Sequence, residues 1–140
     1  MDYPFIVVPL LTGIFTQMVK FSLAIIRHKK IEIKYLFTPG HMPSSHTSFA
    51  VSLVTVVGVY AGIGSIDFAI AVCLAYIVIY DAMNIRINIG RNGAAINRIV
   101  KDLNLEGYPT LKERVGQLPA EVAVGGILGF LFSMMLIKFL

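Results

Sequence analysis

From about Pro4 to Ile26 the chain is apolar apart from Gln17, Lys20 and a few hydroxyls. As a helix, that run is long enough to cross the ~30 Å hydrocarbon core of a bilayer. Three more apolar runs follow, from about Ser44 to Ile63, Ile66 to Tyr80 and Pro119 to Leu140. A backbone in hydrocarbon must satisfy its own hydrogen bonds, which restricts the choice to helices or a closed barrel. Runs this long and this apolar predict helices. The predicted fold is therefore all-α, a single membrane-embedded domain over residues 1–140 with about four transmembrane helices. Between the third and fourth spans, Ile85, Ile89, Ile96, Ile99 and Leu103 recur at helical spacing, with Arg86, Arg91, Arg98 and Lys101 among them. That pattern predicts an amphipathic helix lying in the membrane interface.

Composition agrees. Of the 140 residues, 56% are hydrophobic and only 14% charged, against about 25% charged in a soluble domain. The start, Met1-Asp2-Tyr3-Pro4, lacks a basic region and the first apolar run is too long for a signal peptide, so the run is expected to stay as a membrane helix. The single cysteine, Cys73, lies in an apolar run and reads as a packing residue. The net charge of +4 sits between apolar segments, which points to the bilayer surface and to phosphate rather than to nucleic acid. Eleven of the twelve lysines and arginines fall near the end of span one or between spans three and four, with Lys138 alone on the other side. The positive-inside rule then makes the basic face cytoplasmic and puts both termini outside. A phosphate site would also gather cations there. Gly58/Gly62 and Gly125/Gly129 form two small-xxx-small pairs, expected to pack helices within one subunit, with a homodimer seam as the alternative.

The segment Gly40-His41-Met42-Pro43-Ser44-Ser45-His46-Thr47-Ser48 is the most informative for function. Pro43 suits the first turn of a helix, and Ser44 and Ser45 suit its cap. Free N–H groups at a helix N-terminus make an anion site. His46, on the first or second turn, is then placed to protonate a leaving alkoxide. A capping turn with a hydrogen-bonded histidine is the plainer reading, but two histidines and two serines converge at this helix start.

Pro43-Ser44-Ser45-His46 resembles the Pro-Ser-Gly-His motif of the type 2 phosphatidic acid phosphatase superfamily, which includes the vanadium-dependent haloperoxidases. It is closer to that superfamily's divergent branch of small membrane proteins, with its Gly-Gly-Met-Pro-Ser-Ser-His-Ser type of motif. Tyr80-Asp81-Ala82 followed by Arg86, Asn97 in the amphipathic segment, and Gly116-x-x-Pro119-x-Glu121-Val122 extend the resemblance along nearly the whole chain. The superfamily's first motif is Lys, six residues, Arg-Pro. Lys20 and Arg27 keep the spacing, with His28 in place of the proline. The resemblance implies that this pair binds phosphate, that a histidine attacks phosphorus, that the Pro-Ser-Ser-His histidine protonates the leaving group, and that neither metal nor cofactor is required.

The third motif departs from the pattern. Gln117 stands where the superfamily has its nucleophilic histidine, and Leu111 where it has an arginine. A carboxamide cannot form a phosphohistidine. Three explanations stand at this point: the nucleophile is lost, it has moved (His41 is the other histidine beside the motif), or a metal or water mechanism operates with Asp81 and Glu121 as ligands or bases. Asp81, at the negative end of the third span, needs a cation such as Arg86 or Lys20 and can orient His46. Arg86 and Arg91 are the natural replacements for the missing arginine, since a guanidinium grips phosphate in bidentate fashion. Glu121 falls where a carboxylate caps the last helix.

The expected function is hydrolysis of a phosphate or diphosphate on a membrane lipid. His46, His41, Asp81 and Glu121 are the catalytic candidates. Lys20, Arg27, Ser44, Ser45, Arg86 and Arg91 are the phosphate ligands. The alternative is an impaired relative that binds anionic headgroups or serves as a structural subunit. A transporter is disfavoured, since the spans carry no inverted repeat or broken helix.

Overall fold

The computed structural model describes residues 3–28 and 42–140. Residues 29–41, which include His41, lie outside the described residues. Five helices make up the rest: α1 (Pro4–His28), α2 (Ser45–Tyr60), α3 (Ile66–Tyr80), α4 (Arg86–Asp102) and α5 (Pro119–Phe139), with a π-turn at Asp81–Ile85 joining α3 to α4.

Helix α2 is the centre of the bundle, packed by α1, α3 and α5. Its buried face is lined with hydroxyls rather than with large apolar side chains: Thr47, Ser48, Ser52 and Thr55 are all buried. In hydrocarbon, helices gain little from hiding leucine from lipid, so small residues and interhelical hydrogen bonds carry the packing. Thr16 Oγ1 of α1 lies 2.6 Å from Ser48 Oγ. One turn along, Ser52 Oγ donates to Thr12 Oγ1 at 3.2 Å, and Ser133 Oγ of α5 lies 2.6 Å from Ser52 Oγ. Three helices are thus laced together by one ladder of short hydroxyls. Gly125 and Gly129 allow the close approach. A Cβ on Gly125 would come within 2.5 Å of the Ser44 carbonyl oxygen, and one on Gly129 would run into Ser48. This glycine pair therefore packs inside the subunit.

The other pair does not act as a pair. α2 stops at Tyr60, earlier than its apolar run suggests, and Gly62 lies beyond it with a left-handed φ of 88°. A turn there needs that conformation, which glycine adopts without a Cβ clash. Ser65 then caps α3 by accepting the Phe68 N–H at 3.1 Å. At 16 residues, α2 is about 24 Å long, shorter than α1 and α5.

The largest departure from the sequence reading follows Tyr80. Asp81 was expected to close the third span, with a separate interfacial helix after it. The helix instead runs on from Ile66 to Asp102 over 37 residues, about 55 Å in all, with the π-turn as its only irregularity. Asp81 is therefore not at a helix C-terminus, and the dipole argument for its partner does not apply. α4 keeps the expected amphipathic pattern: Ile89, Ile96, Ile99 and Leu103 stay exposed. Among the described residues, three helices are long and apolar enough to cross a membrane and α2 is a shorter apolar one, and the chain is an integral membrane protein.

Candidate functional site at one end of the bundle

The chain between α4 and α5 folds back onto α4 and brings the start of α5 to the start of α2. Asn97 anchors it: its Nδ2 donates to the Leu111 carbonyl at 2.9 Å and the Leu111 N–H donates to its Oδ1 at 2.8 Å. Gly116 passes so close to α4 that a Cβ would lie 2.6 Å from the Ile87 nitrogen. The Gln117 N–H then donates to the Ala82 carbonyl, inside the π-turn, at 3.0 Å. The motif residues Asn97 and Gly116 thus act as fasteners that deliver Gln117.

Gln117 is buried at 6% exposure, and its Oε1 accepts from Ser44 Oγ at 2.6 Å. Ser44 is the N-cap of α2: its Oγ accepts the Thr47 N–H at 3.2 Å, and its own N–H donates to the Glu121 carbonyl at 3.1 Å. Ser44 is fully buried and its hydroxyl is engaged by Thr47 and Gln117. It joins α2 to α5 rather than facing outward. Pro43 precedes the cap, two positions before the first turn expected to hold it. Ser45, the first residue of α2, donates to Gln17 Oε1 of α1 at 2.5 Å.

Glu121 caps α5 as its position suggested, with Oε2 accepting the Leu118 N–H at 3.0 Å. Its Oε1 takes Arg114 Nη2 at 3.3 Å. Arg114 did not enter the sequence reading. It lies in a segment without helical periodicity, where spacing says nothing about which residues meet. Its place three residues before Gln117 was the only signal available. The charge of Glu121 also reaches Lys20 on α1. Lys20 is buried at 8% exposure, inside the polar cluster rather than extended toward the membrane surface.

Asp81 and Arg86 form the second polar pair, with Arg86 Nε 2.6 Å from Asp81 Oδ2. Residues five apart do not face one another on a regular α-helix. The π-turn makes the pairing: the Arg86 N–H bonds to the Asp81 carbonyl, which sets Arg86 one turn above Asp81. Such turns occur often at functional sites.

His46, in the first turn of α2, is exposed. The charges of Arg86, Lys20 and Asp81 all act on its imidazole. Four sequence-separated elements therefore meet around the start of α2: the Gln17–Lys20 turn of α1, the start of α2 itself, the π-turn, and the start of α5. Arg27 lies exposed two turns beyond Lys20, and Arg91 exposed more than a turn beyond Arg86. Neither is drawn into the cluster. Among the described residues, no group of three or more His, Cys, Asp and Glu side chains is arranged to hold a metal.

Beside His46 a groove opens between α1, α2 and α3, lined by Gly13, Ile14, Gln17, Ser45, His46, Phe49 and Val78, with a volume of about 420 Å³.

A Bacillus subtilis (strain 168) protein described as the uncharacterized membrane protein YuiD is 32% identical over 140 residues, covering 90% of this chain and 89% of its own. No solved structure matches. Residues 1–132 match the pattern of the Divergent PAP2 family, and the chain belongs to that family.

Proposed function

We propose that this protein binds the phosphate of a membrane lipid at the cluster around His46 and hydrolyses it. The observation that carries this reading is the junction around the start of α2, which carries His46: Ser45 ties it to α1 at Gln17, one turn from Lys20, and Ser44 ties it through Gln117 to the π-turn that pairs Asp81 with Arg86. Lys20 and Arg86 neutralise the phosphoryl oxygens, and the N-terminus of α2 adds its dipole. His46 gives its proton to the bridging oxygen as the phosphorus–oxygen bond breaks, leaving the lipid alcohol or lipid phosphate. Asp81 holds Arg86 in position. Arg27 and Arg91 serve as outer cations that draw the anionic headgroup in. Ser44 and Ser45 position the helix terminus, and Glu121 holds the start of α5. The attacking group is an imidazole, for which His41 is the candidate. Its ring nitrogen bonds to phosphorus, and water then cleaves the phosphorus–nitrogen bond to release phosphate. No metal enters this scheme. The basic face, and the site with it, is cytoplasmic, and both termini lie outside.

A second reading has its own observation. The Gln117 carboxamide, in the family's nucleophile position, is tied to Ser44 at 2.6 Å. That bond suits a protein that keeps the phosphate site and binds anionic headgroups without turnover.

Phosphate release by the detergent-purified protein separates the two. The substrates are phosphatidate, phosphatidylglycerol phosphate and a polyprenyl diphosphate, each with and without EDTA. Release that resists EDTA and disappears in both His46→Ala and His41→Ala is the expected result. No release from the parent, with activity gained by Gln117→His, would leave headgroup binding as the function.

A further inference from the structure

The groove beside His46 changes character along its length. At one end stand Gln17, Ser45 and His46; one helical turn away on the same two helices stand Gly13, Ile14 and Phe49, with Val78 of α3 opposite. The polar end belongs to the cluster that includes Lys20 and Arg86. The apolar end runs from it along α1 toward that helix's N-terminal half and along α2 to Phe49. Ile14 is 57% exposed and Phe49 40%, so the groove opens sideways into lipid.

We propose that this groove holds the hydrocarbon chain of the lipid whose phosphate lies at His46, with Gly13 setting the room for that chain. The inference rests on the phosphate-binding reading of the polar end. An amphipathic ligand fits an amphipathic groove only one way: phosphate at the cations, chain along Gly13, Ile14, Phe49 and Val78. The groove lies within the size range of small-molecule sites, and its apolar end meets a hydrocarbon chain with hydrocarbon. Gly13 is the point of control. A Cβ there would sit 3.4 Å from the Phe49 ring, an ordinary contact, so the position admits a side chain sterically. Anything longer than a methyl would project into the space the chain occupies. Glycine inside a helix is otherwise unfavourable by roughly 1 kcal/mol relative to alanine. Its presence here is accounted for by the open groove.

The test uses the absence of tryptophan from the chain. A Phe49→Trp variant carries a single reporter in the groove, reconstituted in phosphatidylcholine vesicles. The probe is an alkyl phosphate monoester brominated at mid-chain. Saturable quenching is expected, reversed by the unbrominated alkyl phosphate and lost at the same probe mole fraction on adding Gly13→Leu, whose side chain takes the volume the chain would fill. Leucine is a better helix former than glycine, so the second substitution does not weaken α1. Equal quenching by brominated phosphatidylcholine at the same mole fraction would overturn the proposal, because bulk lipid would then fill the groove. Methyl phosphate binding, seen as phosphorus-31 line broadening, without saturable quenching would overturn it while leaving the polar site intact. Absence of both signals would overturn the two readings together. Cross-linking of the unsubstituted protein by a mid-chain diazirine alkyl phosphate gives a check free of substitutions. Label on α1 and α2 at Gly13, Ile14 or Phe49 is expected, and label confined to the outer faces of α3 and α5 would contradict the proposal.

Discussion

Ser44 shows how one hydroxyl can hold two helices in register. It caps α2, meets Gln117 of the returning chain, and offers its N–H to α5. Replacing it by alanine removes the cap and strands the Gln117 carbonyl in a buried place. We expect Ser44→Ala to destabilise the protein by about 1–3 kcal/mol, read as a lowered unfolding midpoint in detergent. An unchanged midpoint would mean that the Ser44–Gln117 bond carries little of the junction. The convergence of His46, Ser44 and Ser45 at a helix start was legible in the sequence, because Pro-Ser-Ser-His has a composition with a mechanical meaning. The partners of those residues were not. Gln17 stands three residues before Lys20 on the same helix face, a spacing that was available to be read. Arg114 meets Glu121 through a loop, and no periodicity points to such a contact.

At the scale of elements, hydropathy delimited α1 and α5 closely, because each must span hydrocarbon and each is apolar for that length, and it placed the start of α3, whose helix runs on past Tyr80. It overran the end of α2, where Gly62 stops the helix within an apolar run. It could not show the π-turn, in which the composition of Asp81–Ile85 is ordinary and only the hydrogen-bond pattern differs. That turn changes the meaning of Asp81, from a residue at an unfavourable helix end to one paired with Arg86. The seam between α2 and α5 was legible as a glycine pair, though not the helix it faces. A branched side chain at Gly129 has no room against Ser48. Gly129→Val is expected to cost about 1–3 kcal/mol as overpacking, and more if the hydroxyl ladder parts. Gly126→Val, whose neighbours stand at 3.7 Å, is expected to be far milder. Equal unfolding midpoints for the two variants would argue against the close α2–α5 seam.

At the scale of the molecule, short hydroxyls lace the middle of the bundle, and the charged pairs Asp81–Arg86 and Arg114–Glu121 stand toward the end where α2 and α5 begin. Charges in such a setting are costly unless paired, and Asp81 and Glu121 are paired with Arg86 and Arg114. The orientation has a direct test. In a Cys73→Ser background, a cysteine at Asn104 should resist a membrane-impermeant maleimide in intact cells, and one at Gly64 should react. The reverse labelling would place the site outside.

The role of His46 is tested most directly by leaving-group dependence. An alkyl phosphate needs a proton on its departing oxygen; a nitrophenyl phosphate of matched chain length does not. His46→Ala should lower turnover of the alkyl phosphate by about 10²–10⁴-fold, and turnover of the nitrophenyl ester by less than about tenfold. An equal loss on both substrates would contradict proton donation by His46 and leave it as a phosphate-binding group alone.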